Sequence, residues 1–242
     1  MWSRKFDPEK AAHEAVLAVR RVIGDRLSAA TLYGSAASGE FRPAHSDVNV
    51  AFVFTVLGAR ELETIRKAHR EWEKQRVVRP LLLSTDSLER SRDTFPLEYL
   101  LIRERHVTLY GEDPFAAIAV DRAALRSQVE RVLRAQELGL AVSYVSLAST
   151  PAGARRWAAQ AASALAASAS GLLYLTEGAV PATRKETAER SAARFGVDSV
   201  VLSALLTRES GPAVVPATQL LESAQALLAR LLEETERLDG SR

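Results

Sequence analysis

The chain has 242 residues, 47% of them hydrophobic and 26% charged, with a net charge of +2 and no cysteine. That length suffices for one large domain or two small ones with a sizeable core, and the composition is that of an ordinary soluble globular protein. Disulfides, thiolate metal sites and thiol catalysis are excluded, and 32 basic residues against 30 acidic ones leave no bulk polycation to hold nucleic acid, although the pI is near 9.0. The opening residues, MWSRKFDPEK, are charged, so no signal peptide is expected. No run of about eighteen apolar residues stands out as a membrane span, and the cytoplasm is the expected compartment. Arginine greatly outnumbers lysine and alanine is abundant, which we read as the mark of a GC-rich, bacterial-type genome.

Asp7-Pro8 reads as an N-cap followed by proline at the first helical position. The helix it opens carries Ala12, Ala15, Val16, Val19, Val22 and Ile23 on one face and ends near Gly24-Asp25. A strand is predicted over Ala29 to Tyr33, then a Gly34-Ser35 turn, a short helix, and a strand over Asp47 to Val56. Gly58 opens a further helical pattern through Leu62, Ile65, Ala68 and Trp72. Val77 to Ser84 is strand-like, with Pro80 marking an edge or a bulge. Thr85 caps a short helix, Phe95-Pro96 begins another through Ile102, and His106 to Tyr110 is a last short strand.

From Asp121 onward only helices are predicted. Asp121 caps one reaching about Leu147, and the turn Thr150 to Gly153 separates it from an alanine-rich helix over Ala154 to Thr176. Thr183 and Glu186 are spaced as a capping box for a third helix, stopped by Gly196. Asp198 caps a fourth ending before Gly211-Pro212, and Pro216 to Leu238 is an amphipathic fifth. The expected architecture is α+β: residues 1–118 form a mixed sheet with flanking helices, and residues 119–242 an antiparallel helical bundle.

The informative stretch is Thr31 to Phe54, TLYGSAASGEFRPAHSDVNVAFVF. An apolar strand ends on Gly34-Ser35, small residues follow, and the next predicted strand alternates Asp47 and Asn49 with Val48 and Val50. Residues two apart in a strand share a face, so Asp47 and Asn49 are expected to project together. A glycine lets a phosphate approach the backbone and Ser35 can donate a hydroxyl hydrogen bond, so the turn is a candidate phosphate seat. Amides opening the predicted short helix would add partial positive charge.

Gly34-Ser35, a gap of about a dozen residues and then Ser46-Asp47-x-Asn49, flanked by Leu32-Tyr33, Ala37 and Gly39, resembles the nucleotidyltransferase superfamily. That superfamily includes DNA polymerase beta, kanamycin-type aminoglycoside nucleotidyltransferases and minimal nucleotidyltransferases. The resemblance covers the first half. The order of elements alone likens the helical half to the kanamycin-type arrangement. It implies a nucleotidyltransferase-like fold and transfer of a nucleoside monophosphate from a nucleoside triphosphate, ATP foremost, to a hydroxyl on a small molecule or protein. Gly34, Ser35 and Ser46 would bind the nucleotide, Asp47 and Asn49 would occupy the catalytic positions, and Asp47 would hold magnesium. In that family three acids hold two metals, which activate the acceptor and stabilise the leaving pyrophosphate.

Two acids are missing. Asn49 stands where the second is expected, and Val77 to Ser84 contains none for the third; Asp86, Glu89, Asp93 and Glu98 lie beyond it without a matching motif. One carboxylate then faces two divalent ions, which implies weak metal binding and slow or absent transfer. The alternative is a non-catalytic nucleotide-binding or partner-binding protein on the same fold, a pseudoenzyme, with a homodimer among the assemblies considered. Simpler roles stand beside these. Asp47 could cap or salt-bridge at the sheet edge, Arg42 could be an ordinary loop arginine, and His45 and His106 suit surface or core positions. Tyr144, Trp157 and Tyr174 suit core or cleft-lining positions, and the charged face of Arg184 to Arg194 suits solvent.

Overall fold

In a computed structural model, described over residues 6–43, 46–78, 80–207 and 215–240, the chain divides into two compact units. The first takes the residues up to Asp93 together with Glu98–Ala119. The second takes Thr94–Leu97 and everything from Val120 onward. His45 and the Gly211-Pro212 stop lie outside the described residues. The class is α+β: a four-stranded mixed sheet with flanking helices, and a helical C-terminal region.

The first unit is built on β1 (Leu27–Tyr33), which lies inside a sheet of order β3-β2-β1-β4. It pairs antiparallel with β2 (Asn49–Phe54) and with β4 (His106–Tyr110), and β2 pairs parallel with β3 (Leu81–Ser84). β3 is an edge strand, which accommodates Pro80 just before it. One sheet face presents Leu32, Val50, Phe52 and Phe54 to α1 (Pro8–Ile23), α2 (Ala59–Ile65) and α3 (His69–Lys74). From α1 come Ala12, Ala15, Val16 and Val19, all buried, and each fully buried Val or Phe on this face contributes about 1.5–3 kcal/mol. A charge at Val19 would break that packing. The other face presents Ala29, Ala51 and Val53 to Leu88 of α4 (Thr85–Arg90), Tyr99 and Ile102 of α5 (Pro96–Glu104), Phe115 and Ile118.

The predicted α1 cap is present: Asp7 Oδ1 accepts from the amides of Glu9 and Lys10. Several local expectations need correction. The helix expected from Gly58 through Trp72 is split by a 3-10 turn over Arg66–Ala68, and Leu62 is exposed while Ile65, Ala68 and Trp72 are buried. The short helix after Gly34-Ser35 is one 3-10 turn, Gly34–Ala36, whose Gly34 carbonyl accepts from the amides of Ala37 and Ser38. The cap of α4 is Ser84 rather than Thr85, because the Ser84 hydroxyl accepts from the Ser87 amide while the Ser87 hydroxyl accepts from the Ser84 amide. β2 starts at Asn49, two residues later than expected.

In the second unit, α6 (Arg122–Leu147), α7 (Pro151–Glu177), α8 (Arg184–Phe195), α9 (Ser199–Thr207) and α10 (Ala217–Gly240) form the helical region. Asp121 caps α6 by accepting from the Ala124 amide. The expected turn at Thr150 to Gly153 is already helix: the Thr150 side chain accepts from the Gly153 amide and Pro151 occupies the first position. The Thr183 hydroxyl accepts from Glu186 N at 3.1 Å, but Glu186 Oε2 takes the Ala182 amide, so the box closes one residue early. Gly171 of α7 has no room for a side chain, since a Cβ there would meet Leu97 Cδ1 at 2.8 Å and Val129 Cγ2 at 2.9 Å. Trp157 is buried, with Nε1 donating to the Leu140 carbonyl and its ring edge-on to Tyr144 at 5.0 Å. α7 is long and apolar enough to cross a membrane by length and composition, and 61% of its apolar window is buried inside the protein, as in a core helix.

Candidate functional site

Strand direction decides what meets at the Gly-Ser turn. Because β1 is antiparallel to both neighbours, its C-terminal end lies beside the N-terminal ends of β2 and β4. The register pairs Tyr33 with Asn49 on one side and with His106 on the other. Directly paired residues share a sheet face, so His106, Tyr33 and Asn49 form one row across three strands. Tyr33 packs on the cluster of Tyr99, Ile102 and Phe115. Gly34 follows at once, with φ +74°, a left-handed conformation that glycine adopts without strain. A Cβ on Gly34 would lie 2.8 Å from Asn49 Nδ2, so the carboxamide sits directly over the turn.

The loop between the turn and β2 has its own anchors. Ser46 N donates to the Arg42 carbonyl at 2.8 Å, and Ser46 Oγ accepts from Arg42 N at 3.1 Å, which ties Ser46 into the loop. Val48 N donates to the carbonyl of Arg76 at 3.0 Å. Arg76 has φ 63°, unusual for a residue with a side chain, and its guanidinium lies over the rings of Phe6 and Phe41 at 5.3 and 5.8 Å. Asp47 is held between these anchors, outside the strand and exposed, whereas Asn49 is half-buried. Val48 and Val50 are buried in the same core cluster, so burial alternates from Asp47 through Val50 although the strand pairing begins at Asn49.

His106 and its surroundings were not legible as part of this end of the sheet. His106 Nε2 lies 2.7 Å from Asp113 Oδ2, and Nδ1 lies 2.9 Å from the Arg103 carbonyl. Asp113 Oδ1 also accepts from the amides of Phe115 and Ala116. Partial burial works to raise the Asp113 pKa, but the Phe115 amide, the His106 hydrogen bond and charge, and the Ala116 amide outweigh it and hold the carboxyl below its ordinary range. Burial raises the Tyr33 phenol above its ordinary value, so it stays a neutral hydroxyl at neutral pH. No local sequence signal marks these residues; only the β1–β4 register brings His106 into the row.

The remaining acids named from sequence are engaged locally or exposed. Asp86 pairs with Arg90 at 3.0 Å and Glu89 pairs with Arg92, both within or beside α4. Glu98 and Asp93 are exposed. Among the described residues no three His, Asp or Glu side chains gather as a metal-holding group. The Asn49 carboxamide turns its amide nitrogen toward Gly34; it still has one oxygen to offer a cation but brings no charge. Asp47, exposed, and the uncharged Asn49 offer one carboxylate between them, where the resembled family holds two magnesium ions with three. The Asn49 amide is the donor that lies against Gly34, and Tyr33 and Ser35 flank that glycine in the chain.

No protein-family model matches the chain, and no curated protein is significantly similar to it.

Proposed function

We propose that the protein binds the phosphates of a nucleotide, ATP foremost, on a nucleotidyltransferase-like first unit, and acts as a binding or regulatory protein rather than a metal-dependent transferase. The observation that carries this reading is the Asn49 carboxamide lying over the left-handed Gly34. Where a carboxylate would repel phosphate unless a cation intervened, an amide N–H attracts it directly. Ser35 and the 3-10 turn extend the donor set, and the neutral Tyr33 hydroxyl adds another on the same row. Asp47 stays at the rim, exposed, where it can interact with solvent or a base rather than hold two ions.

Calorimetric titration with ATP, with and without magnesium, tests this together with pyrophosphate release over a panel of hydroxyl acceptors. Binding is expected with a Kd on the order of 10–100 μM, nearly unchanged by magnesium, with no pyrophosphate. Asn49→Asp is expected to weaken magnesium-free binding at least tenfold. Tight magnesium-dependent binding with turnover abolished by Asp47→Ala would instead establish a transferase. Absence of any nucleotide binding would remove the phosphate reading altogether.

A further inference from the structure

The α6 helix has two apolar faces. One, carrying Leu125, Val129, Leu133 and Leu140, is buried. The other carries Ala135, Leu138, Val142 and Val145, all exposed, with Leu138 at 79%, Val142 at 67% and Val145 at 77%. Their spacing is three, four, three, which is the a/d repeat of a coiled-coil seam rather than scattered surface hydrophobics. The positions flanking its middle, Gly139, Ala141 and Ser146, are small, uncharged and exposed.

Gly139 is the telling residue. A glycine within an exposed helix costs about 1 kcal/mol relative to alanine. Here φ is not positive, and a Cβ would meet nothing within 4 Å, so no neighbour in the chain requires it. Gly171, by contrast, is required by Leu97 and Val129. A second helix crossing α6 at Gly139 would supply the missing reason.

We propose that this face binds the same face of a second copy of the chain, α6 running antiparallel to its equivalent about a two-fold axis near residue 140. That register sets Leu138 against Val142 of the second copy and Ala135 against its Val145, small against large. It also sets exposed Arg131 opposite the second copy's exposed, uncharged Ser149, just past the helix end. A parallel pairing would set Arg131 against Arg131. Charge thus selects the antiparallel arrangement, and self-complementarity selects a second copy as the occupant. The seam spans about four turns and buries less than the roughly 800 Å² per partner of a standard interface, so the dimer is concentration-dependent, with a Kd on the order of 10 μM.

Because the chain has no cysteine, single introduced cysteines report this geometry cleanly. Sedimentation equilibrium on the full chain is expected to show a monomer–dimer equilibrium, and Val142→Glu, exposed in the monomer, is expected to weaken the dimer about a hundredfold without changing helicity. Under mild oxidation Ala141→Cys, offset from its equivalent by about 3 Å along the axis, forms a disulfide dimer, whereas Ala135→Cys, offset by about 15 Å, does not. A chain that is monomeric up to about 0.5 mM overturns the proposal. So does a dimer indifferent to Val142→Glu, or equal crosslinking at both sites.

Discussion

Gly34→Ala gives the sharpest test of the Gly34–Asn49 geometry. Two costs are predicted. An L-residue at φ +74° costs roughly 1–2 kcal/mol. The new Cβ would also lie 2.8 Å from Asn49 Nδ2, and moving that carboxamide off its rotamer costs about 1 kcal/mol more. The sum is about 2–3 kcal/mol. Only the second cost depends on Asn49. In an Asn49→Ala background the contact is gone, so Gly34→Ala should then cost only the backbone part, a coupling of about 1 kcal/mol. Amide hydrogen exchange across β1 and β2 measures this in the first unit alone, where global unfolding would mix both units. Additivity within about 0.5 kcal/mol would refute the proposed contact, and a Gly34→Ala variant of undiminished stability would refute the left-handed turn as well.

Gln128 is buried, and its Oε1 accepts from Leu97 N at 2.7 Å; Gln128→Ala should therefore destabilise the second unit by about 2–3 kcal/mol in urea unfolding, through a stranded amide and a small cavity. Asp113 has a depressed folded pKa, so its contribution to stability is present above the unfolded value of 3.8 and is lost as pH falls through the folded one; Asp113→Asn should flatten thermal stability against pH on that acid limb. Tyr33 has a raised folded pKa, so its contribution is full below 10.0 and lost as pH rises beyond it. In an ultraviolet titration of the five tyrosines, Tyr33→Phe should remove a late-ionising component.

Local chemistry was the legible part of the fold. Asp7, Asp121 and Thr183 cap their helices because a short side chain reaches amides two or three residues on, an interaction needing no tertiary partner. The break at Arg66–Ala68 was not legible, since the three-residue step from Ile65 to Ala68 suits a 3-10 turn as well as an α-helix. Asp47-Val48-Asn49-Val50 reads as a strand throughout, yet the Val48 amide is claimed by Arg76 rather than by a neighbouring strand. Within the site, the sequence brought Gly34 and Asn49 into one hypothesis, and their contact is a consequence of the β1–β2 register. The row completed by His106 depends on pairing between distant segments, and no window of sequence contains it.

The order β3-β2-β1-β4 also has a consequence for synthesis. β1 and β2 can pair as soon as both have left the ribosome, since a single loop joins them. The opposite edge of β1 is closed only by β4, which follows α2, α3, β3, α4 and α5. Through that interval a nascent chain exposes the backbone of an apolar strand, Leu27–Tyr33, along one unpaired edge. Translation that stalls before His106 should leave a fragment prone to edge-to-edge aggregation, and a chaperone that shields this edge would act on the nascent chain and have no target on the finished protein.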